Sequence, residues 1–342
     1  MAVPSPLRWR LADDDGGQPT LEGLSEPIPG RGELRGLEFL HVRARSVVNR
    51  VPTSARLPFR YTINAYRGCS HACAYCFARP THEYLGLDPG RDFETRIIVK
   101  VNAVDRVRAE VGSPRWRRDL IAMGTNTDPY QLCEGRYRLT RGIVAVLAEA
   151  RNPFSILTKS TLVLRDLDLL AQAARRTRVR VDLSIGCLDP DVWQATEPGT
   201  PNPLRRMEAV ARLNEAGIPS GVLIAPVLPG ISDRPDQVEA VVRAAVEAGA
   251  RSITPLLLHL RPGVREHYLG WLAGNRPDLV AHHERRYRRP YAPAGERRAL
   301  AALVRRLVER HGGRARVERP PAAPATCPPP GSETAATQLP LL

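Results

Sequence analysis

The sequence predicts an α/β fold in which short parallel strands alternate with helices. Three observations support this prediction: six short apolar or β-branched runs, a helical apolar period between successive runs, and a repeat of roughly 30–35 residues per β/α step. Parallel strands need such crossover connections, and strands buried on both faces are short and apolar. A partial barrel and an open doubly wound sheet both satisfy the pattern. In either arrangement the chemistry lies at the C-terminal edge of the sheet.

The predicted elements follow one another along the chain. β-branched and apolar composition predicts strands at 61–65, 120–123, 154–158, 179–185, 222–227 and 252–258. Apolar spacing predicts helices at 97–111, 139–151, 164–176, 203–216 and 237–248. Gly217 and Gly249 follow the last two helices, at the position where a left-handed residue ends a helix.

We predict four segments. Residues 1–35 lack an apolar period and are predicted to be a flexible N-terminal segment. Residues 36–262 carry the α/β repeat, and residues 263–319 are predicted to be a basic helical extension. The Pro-, Ala- and Thr-rich stretch 320–342 is predicted to be a disordered tail, in which Cys327 has no role.

Composition excludes several classes of protein. Six cysteines in 342 residues are too few for a secreted disulfide framework. The chain has no run of about 18 apolar residues that would predict a transmembrane helix, and its beginning lacks the apolar core of a signal peptide. We therefore expect a cytoplasmic protein with reduced thiols and no membrane partner.

The formal net charge of +14 is concentrated near the C-terminus. Residues 251–319 contain 16 arginines against 6 acidic residues, and only two lysines accompany 48 arginines in the whole chain. Such an arginine bias also follows from GC-rich coding. HHERRYRRPY at 282–291 interleaves arginine with tyrosine, which suits phosphate contact and base stacking. Nucleic acid is therefore a candidate partner of residues 251–319. A solvated helical face explains the same pattern equally well.

The strongest local motif is a group of three closely spaced cysteines after the first predicted strand. GCSHACAYC at 68–76 places Cys69, Cys73 and Cys76 in a C-x3-C-x2-C pattern. A structural zinc site takes four closed ligands and an electron-transfer [4Fe–4S] cluster takes four cysteines. Three cysteines on a cubane instead leave one iron open to an outside ligand. A non-catalytic zinc or iron–sulfur site is the alternative, and the candidates for its fourth ligand are His71, His82 and Cys133.

This motif resembles the cluster-binding motif of the radical S-adenosylmethionine (SAM) superfamily. The resemblance implies a partial (β/α)6 TIM-like barrel with a helical C-terminal extension and disordered tails, and a [4Fe–4S] cluster held by the three cysteines. It implies SAM as the second cofactor, chelated by the open iron and cleaved by one electron to a 5′-deoxyadenosyl radical that abstracts hydrogen from a substrate. A reducing partner such as flavodoxin or ferredoxin would supply that electron.

Further segments resemble the spore-photoproduct-lyase and DNA-repair-photolyase-like branch of the superfamily. They are NAYRGC at 64–69, GTNTDPYQ at 124–131, TKS at 158–160, SI at 184–185, EPGT at 197–200 and AP at 225–226. The match implies that Tyr75 lies against the adenine, Thr125 near the methionyl group, Lys159 at the methionine carboxylate, Ser184 near the ribose and the Ala225 backbone near the adenine. A solvent-facing lysine and strand-end hydroxyls that cap helices are the alternative interpretation.

Residues that would handle the substrate are less clearly indicated. Tyr130 and Cys133 are candidate relay or catalytic residues, and both also suit a structural role. Glu197 in the EPGT segment suits a helix cap and a cofactor contact equally. Spore photoproduct lyase has a hydrogen-donating cysteine at the end of its second strand, where Gly124 stands here. The branch resemblance favours a nucleic-acid substrate, with a peptide or a small metabolite as the alternative.

Overall fold

The strands of this protein form two sheets in a computed structural model that describes residues 9–11, 27–52, 55, 57–313 and 316–317. In chain order the strands are β1 (Trp9–Leu11), β2 (Ile28–Pro29), β3 (Glu38–Ala44), β4 (Val48–Arg50), β5 (Tyr61–Ile63), β6 (Tyr66–Arg67), β7 (Arg96–Lys100), β8 (Ile121–Met123), β9 (Phe154–Thr158), β10 (Val179–Ser184), β11 (Ser220–Val227), β12 (Ser252–Leu257) and β13 (Arg316–Val317). The larger sheet has the order β13-β12-β11-β10-β9-β8-β5-β4. The smaller has the order β1-β3-β7-β6, with β2 also paired to β3.

Six parallel strands form the body of the larger sheet. β5, β8, β9, β10, β11 and β12 pair in that order, and β4 joins β5 in the antiparallel sense. Among the described strands, β4 and β13 stand at opposite edges and do not pair with each other, so the sheet is not closed, as expected of a partial barrel. The predicted α/β fold with six parallel strands is confirmed. Each predicted strand ends within two residues of the observed one.

Helices connect these strands in the right order for a parallel sheet. They are α1 (Arg91–Thr95), α2 (Ala103–Val111), α3 (Glu134–Tyr137), α4 (Leu139–Glu149), α5 (Leu167–Ala174), α6 (Pro190–Thr196), α7 (Pro203–Glu215), α8 (Pro235–Glu247), α9 (Val264–Asn275), α10 (Val280–Arg286) and α11 (Ala294–Arg310). α4, α5, α7 and α8 follow β8, β9, β10 and β11 in turn. Gly217 and Gly249 have the predicted left-handed conformation after α7 and α8, with φ of +76° and +68°.

The predicted helix at 97–111 is wrong in its first part. Arg96–Lys100 is strand β7, which pairs in parallel with β3 and antiparallel with β6, and only Ala103–Val111 is helical. Ile97, Ile98 and Val99 are buried, as suits β-branched residues in a paired strand. The partner β3 is distant in sequence, and apolar spacing alone does not reveal it.

The predicted flexible segment 1–35 also needs correction. Trp9–Leu11 and Ile28–Pro29 are strands that pair with β3, so these parts of the segment belong to the smaller sheet. The predicted tail 320–342, with Cys327, lies outside the described residues. The boundaries at 36, 263 and 320 stay predictions.

The region after β12 is helical, as predicted for its described part. α11 packs against α8 and β12 and buries Val304, Leu307 and Val308. These residues include the end of the LAALVRRL repeat at 300–307. Among the described residues, every helix is too short or too polar to traverse a lipid bilayer.

Candidate active site

The three motif cysteines lie in the loop at 68–78, which we call the cluster loop. Cys69 and Cys73 are buried, Cys76 is half-buried, and all three are free thiols. Two turns fold the loop upon itself: the N–H of Ala72 donates to the carbonyl of Cys69 (3.3 Å) and that of Cys76 to the carbonyl of Cys73 (3.2 Å). The three cysteines thereby line one cavity of about 220 Å³.

This cavity lies at the C-terminal edge of the larger sheet, where the sequence predicts the chemistry. Each of the strands β8 to β12 contributes at least one residue from its C-terminal end or the segment just beyond it. These residues include Asn126, Lys159, Ser184, Ala225 and Leu258. The cluster loop and the strand ends therefore enclose a common space.

The donor set suits an iron–sulfur cluster. Among the described residues, no three Cys, His, Asp or Glu side chains converge as the ligands of one metal ion, so the three thiols share the cavity without meeting at a point. A [4Fe–4S] cluster binds each cysteine at a different iron, which is compatible with this arrangement. Burial, followed by the charges of Asp128 and the other thiols, raises the pKa of Cys69 well above its usual range. A cationic centre such as iron is what stabilises thiolates in such surroundings.

The candidate fourth ligands of a zinc site have other surroundings. His71 lines the cavity, but its Nδ1 lies 3.4 Å from Oδ2 of Asp128. His82 Nε2 lies 3.1 Å from the carbonyl oxygen of Arg96, and burial lowers the pKa of His82 to about 4. Cys133 is fully buried and is not among the residues that line the cavity. The surroundings of His82 and Cys133 therefore disfavour a zinc site completed by either of them, whereas the carboxylate beside His71 is a partner that a zinc-bound histidine also has.

The segment after β8 fastens the start of the cluster loop. Thr127 Oγ1 donates to the carbonyl of Gly68 (2.6 Å), and Gln131 Nε2 donates to the same carbonyl (3.0 Å). Gln131 Oε1 in turn accepts from the N–H of Ser70 (3.0 Å). Gln131 is fully buried, so these bonds are shielded from water. The GTNTDPYQ segment thus has a structural task in holding the loop.

The EPGT segment holds the other side of the loop. The N–H of Gly199 donates to the carbonyl of His71 (3.1 Å), and the N–H of Ala74 donates to the carbonyl of Thr196 (3.0 Å). A Cβ at Gly199 would lie 2.1 Å from the carbonyl oxygen of Ser70 and 2.9 Å from Cα of His71. Only glycine permits so close an approach of two backbones.

Lys159 lies at the centre of a polar group in the cavity wall. Its Nζ donates to Ser184 Oγ (2.8 Å), Glu197 Oε1 (2.9 Å) and the carbonyl of Ala225 (3.3 Å). The ammonium lies 5.5 Å from the centre of the Tyr75 ring. Ser184 Oγ also donates to the Ala225 carbonyl (2.9 Å), so three strand ends are tied together.

Glu197 links this group to a buried arginine. Its Oε2 lies 2.6 Å from Nη1 of Arg206, and its Oε1 accepts from the hydroxyl of Tyr75 as well as from Lys159. Burial alone would raise the pKa of Glu197, but the charges of Lys159 and Arg206 outweigh it and lower the pKa to about 2. Glu197 is therefore a buried carboxylate at neutral pH, and its partners Lys159 and Tyr75 both line the cavity.

The structure brings most of the predicted cofactor contacts together. Tyr75, Lys159, Ser184 and Ala225 line the same cavity as the three cysteines. Thr125 is half-buried and is not part of the lining, whereas its neighbours Gly124 and Asn126 are.

The two candidate substrate-handling residues are not brought to the cavity. Tyr130 is fully buried, and its hydroxyl donates to Oδ2 of Asp166 (3.1 Å). Cys133 is fully buried just before α3. Because neither residue lines the cavity, the geometry favours the structural interpretation of both.

Gly124 cannot be exchanged for cysteine without moving the backbone. Its φ is +86°, in the region that favours glycine, and a Cβ there would lie 1.9 Å from the carbonyl oxygen of Leu157. The absence of a cysteine at this position is thus built into the contact between β8 and β9.

Sequence reasoning missed several residues around the site. Arg206 lies in α7 and is fully buried, and a surface arginine at the same helical position would give the same pattern. Asp128 accepts from Thr158 Oγ1 (2.6 Å) and from the N–H of Lys159 (2.7 Å), which fixes the start of the Lys159 segment. Phe77 and His259 line the cavity, and Phe77 is exposed to solvent. The only signal for Phe77 was its place directly after the third cysteine.

Curated relatives align over most of the chain. An uncharacterized protein of Mycobacterium tuberculosis is 44% identical over 316 residues, which cover 92% of each of the two chains. An uncharacterized protein of Methanocaldococcus jannaschii is 31% identical over 198 residues, 58% of this chain and 70% of that one.

Solved structures of spore photoproduct lyase share the fold. One in complex with a dinucleoside spore photoproduct has a TM-score of 0.62 and 19% identity, covering 87% of this chain and 88% of that chain. A mutant of that enzyme with bound AdoMet and the same dinucleoside has the same TM-score. The predicted resemblance to this branch is confirmed at the level of the fold.

The family follows from a match across the site itself. The model of the Radical SAM superfamily matches residues 63–245, more than half of the chain. This range contains all three motif cysteines and the C-terminal ends of β8 to β11, which surround the cavity. The chain belongs to the radical SAM superfamily.

Proposed function

We propose that this radical SAM enzyme abstracts a hydrogen atom from a nucleotide of DNA or RNA. The observation that carries the proposal is the pairing of residues 259–260 with the end of the basic segment 282–291. The N–H of Leu260 donates to the carbonyl of Pro290 (2.7 Å), and His259 forms a β-bridge with Tyr291. Because His259 also lines the cavity, this pairing supports a location of Arg288 and Arg289 at its edge.

The charge of this edge suits phosphate. Arg261, Arg288 and Arg289 are exposed, and none of the three forms an ion pair with a carboxylate in the described part of the chain. Arginines of this kind contact phosphate oxygens, and such contacts position a nucleic acid irrespective of its sequence. The fold likeness to an enzyme solved with a dinucleoside spore photoproduct supports the same substrate class.

The chain's own residues would hold both cofactors of the superfamily. We assign Cys69, Cys73 and Cys76 to the [4Fe–4S] cluster. When bound, the cluster and SAM supply the 5′-deoxyadenosyl radical that abstracts hydrogen. We assign Lys159 to the methionine carboxylate of SAM, because its ammonium lies at the cavity wall. Its three N–H groups already donate to Ser184, Glu197 and the Ala225 carbonyl, so the SAM carboxylate would replace one of these acceptors. By the same assignment, Ser184 and the Ala225 backbone would contact the ribose and the adenine, and the Tyr75 ring would pack against the adenine.

The electron must come from outside the chain, since enzymes of this superfamily need a reductant. We propose a small one-electron donor such as a flavodoxin or a ferredoxin.

The proposed reaction differs from that of spore photoproduct lyase in one respect. No cysteine can stand at Gly124 in this backbone, so hydrogen return from a cysteine at that place is not part of the proposal.

Deuterium transfer tests the proposal directly. The reconstituted enzyme is incubated without oxygen with reductant, SAM and DNA or RNA deuterated in the nucleotides, and the 5′-deoxyadenosine is analysed by mass spectrometry. We expect deuterium in the 5′-deoxyadenosine with at least one nucleic acid. SAM cleavage without transfer from any nucleic acid would contradict the proposal and point to a peptide or small metabolite.

A further inference from the structure

We propose that Phe77, His259 and Tyr291 form a stacking site for a nucleobase at the mouth of the cavity. The inference rests on the proposed function, because it states how the same cavity receives a nucleotide. It adds a binding surface to the cofactor site and names the side chains that would select a flat aromatic group.

The three rings form a continuous row. The ring centres of Phe77 and His259 lie 5.9 Å apart with 34° between the planes. Those of His259 and Tyr291 lie 5.6 Å apart with 18° between the planes, a stacked pair. These separations lie within the range of about 4.5–7 Å over which aromatic rings attract one another. His259 therefore joins a ring of the cluster loop to a ring of the basic segment.

The Phe77 end of the row is open to solvent. Phe77 is 44% exposed and lines the cavity that holds the three cysteines. Ligand pockets are lined mainly by apolar and aromatic side chains, so an exposed aromatic ring in a cavity wall is a candidate ligand contact. Since His259 packs on one side of Phe77, the exposed remainder of the ring is available to a second flat group.

The middle ring is well placed to be an uncharged support. His259 is half-buried, and burial, with a further contribution from Arg261, lowers its pKa to about 4. Its imidazole is consequently neutral near pH 7. The β-bridge to Tyr291 and the bond from the Leu260 N–H to Pro290 fix the backbone on both sides of it.

Cations next to the row identify the class of flat group. Arg261 Nη2 lies 3.3 Å from the hydroxyl of Tyr291, and Arg289 lies two residues before that tyrosine. Aromatic rings beside exposed arginines are the combination with which proteins bind single-stranded nucleic acid, by base stacking and phosphate contact. A nucleobase with its phosphate fits both parts, whereas an uncharged aromatic metabolite fits only the rings.

The test compares two DNA probes on the reconstituted enzyme. One is a single-stranded oligodeoxythymidine of about ten nucleotides, and the other is an abasic oligomer of the same length and charge. Binding is measured by fluorescence anisotropy for the parent, Phe77→Leu and Phe77→Trp. Leu204→Ala is the matched control, because Leu204 is 55% exposed on α7 and does not line the cavity. Cluster absorbance reports whether each variant has folded.

We expect the parent to prefer the base-bearing probe by about tenfold, the scale of one base stacked on an aromatic ring. Phe77→Leu should abolish most of this preference and leave the affinity for the abasic probe unchanged. Phe77→Trp should retain the preference, and Leu204→Ala should behave as the parent. A preference that survives in Phe77→Leu, or a parent that binds both probes equally, would overturn the stacking site while nucleic-acid binding stands. A parent that binds neither probe would also overturn the stacking site, whereas the proposed function is decided separately by the deuterium-transfer experiment.

Discussion

At the residue scale, Glu197 is the side chain that holds together the polar group around Lys159 in the cavity wall. It accepts from Tyr75 and balances the charges of Lys159 and Arg206, of which Arg206 is fully buried. A buried ion pair contributes little by itself, but removal of one partner leaves an uncompensated charge inside the protein. Glu197 thus sets both the position of Lys159 and the stability of the surrounding strand ends.

Glu197→Gln should therefore destabilise the protein. We expect a loss of about 3 kcal/mol in the free energy of unfolding, because Lys159 and Arg206 lose their shared counter-charge. Thermal unfolding measures it, with Glu208→Gln as the control, since the Arg205–Glu208 pair is exposed on both sides and is worth well under about 1 kcal/mol. Equal melting temperatures for the two variants would contradict the assignment.

The same variant has a predictable pH dependence. The pKa of Glu197 is lowered in the folded state to about 2, below the value of about 4.3 in an unfolded chain. Its stabilising contribution is therefore complete above about pH 4.3 and declines as pH falls toward 2. The difference in stability between the parent and Glu197→Gln should accordingly be constant near neutrality and shrink in acid. A difference that grows in acid would show that the carboxylate is not the stabilising form.

Sequence alone indicates the residues whose chemistry is local. The three cysteines could be predicted as cluster ligands because their spacing within one loop is itself the motif. Lys159 could be predicted because lysine is rare in this chain and it follows a strand. Arg206 could not, since its role depends on Glu197, and an arginine on α7 looks like any solvated residue until the helix packs.

At the element scale, the cluster loop is held between two segments that approach it backbone to backbone. Thr127 and Gln131 bond to Gly68 on one side, and Gly199 bonds to His71 on the other. The loop geometry is therefore fixed by elements that carry none of the three cysteines.

Gly199→Ala should disturb this arrangement. The added Cβ would meet the carbonyl oxygen of Ser70 at 2.1 Å, so the loop must shift, and overpacking of this kind costs about 1–3 kcal/mol. We expect reconstituted Gly199→Ala to hold clearly less iron per protein than the parent. The control is Gly135→Ala in α3, where a Cβ meets no atom within 4 Å and full iron content is expected. Equal iron content in the two variants would refute the close-approach argument.

Element prediction succeeded where local pattern determines structure. The six barrel strands are short apolar runs with helices between them, and both features are local. Apolar spacing predicts a helix where β7 lies, because the strand pairs with β3, which is more than 50 residues away in the sequence, and local spacing does not show that partner. The smaller sheet as a whole depends on such contacts, so a single apolar run such as Ile97–Val99 does not reveal it.

At the scale of the whole molecule, the bridge between His259 and Tyr291 joins the cavity wall to the basic sequence 282–291. The +14 charge in the sequence says little about a partner, but the pairing of Leu260 with Pro290 supports the proposal that part of this charge lies near the cavity. The sequence locates the excess of arginine in residues 251–319, but it does not show where these residues lie relative to the cavity. For that reason the sequence alone does not identify the substrate.

The affinity for single-stranded nucleic acid should depend on salt. Release of counterions gives a slope of about −0.7 in log affinity against log salt for each phosphate contact, so three arginines predict a slope near −2. Arg261→Gln should reduce the magnitude of that slope by about 0.7, whereas Arg205→Gln on α7 should leave it unchanged. Titrations at several salt concentrations measure both slopes. A slope of zero in the parent would contradict phosphate recognition.

The central claim is that three cysteines of one loop hold a cluster that cleaves SAM. The most direct measurement is 5′-deoxyadenosine formation by protein reconstituted without oxygen and reduced with dithionite, compared among the parent, Cys73→Ala and Cys187→Ala. Cys187 is a buried free thiol that does not line the cavity, so it is the matched control. We predict cluster absorbance and 5′-deoxyadenosine from the parent and from Cys187→Ala, and neither from Cys73→Ala. SAM cleavage by Cys73→Ala, or a colourless parent that carries one zinc ion, would contradict the account.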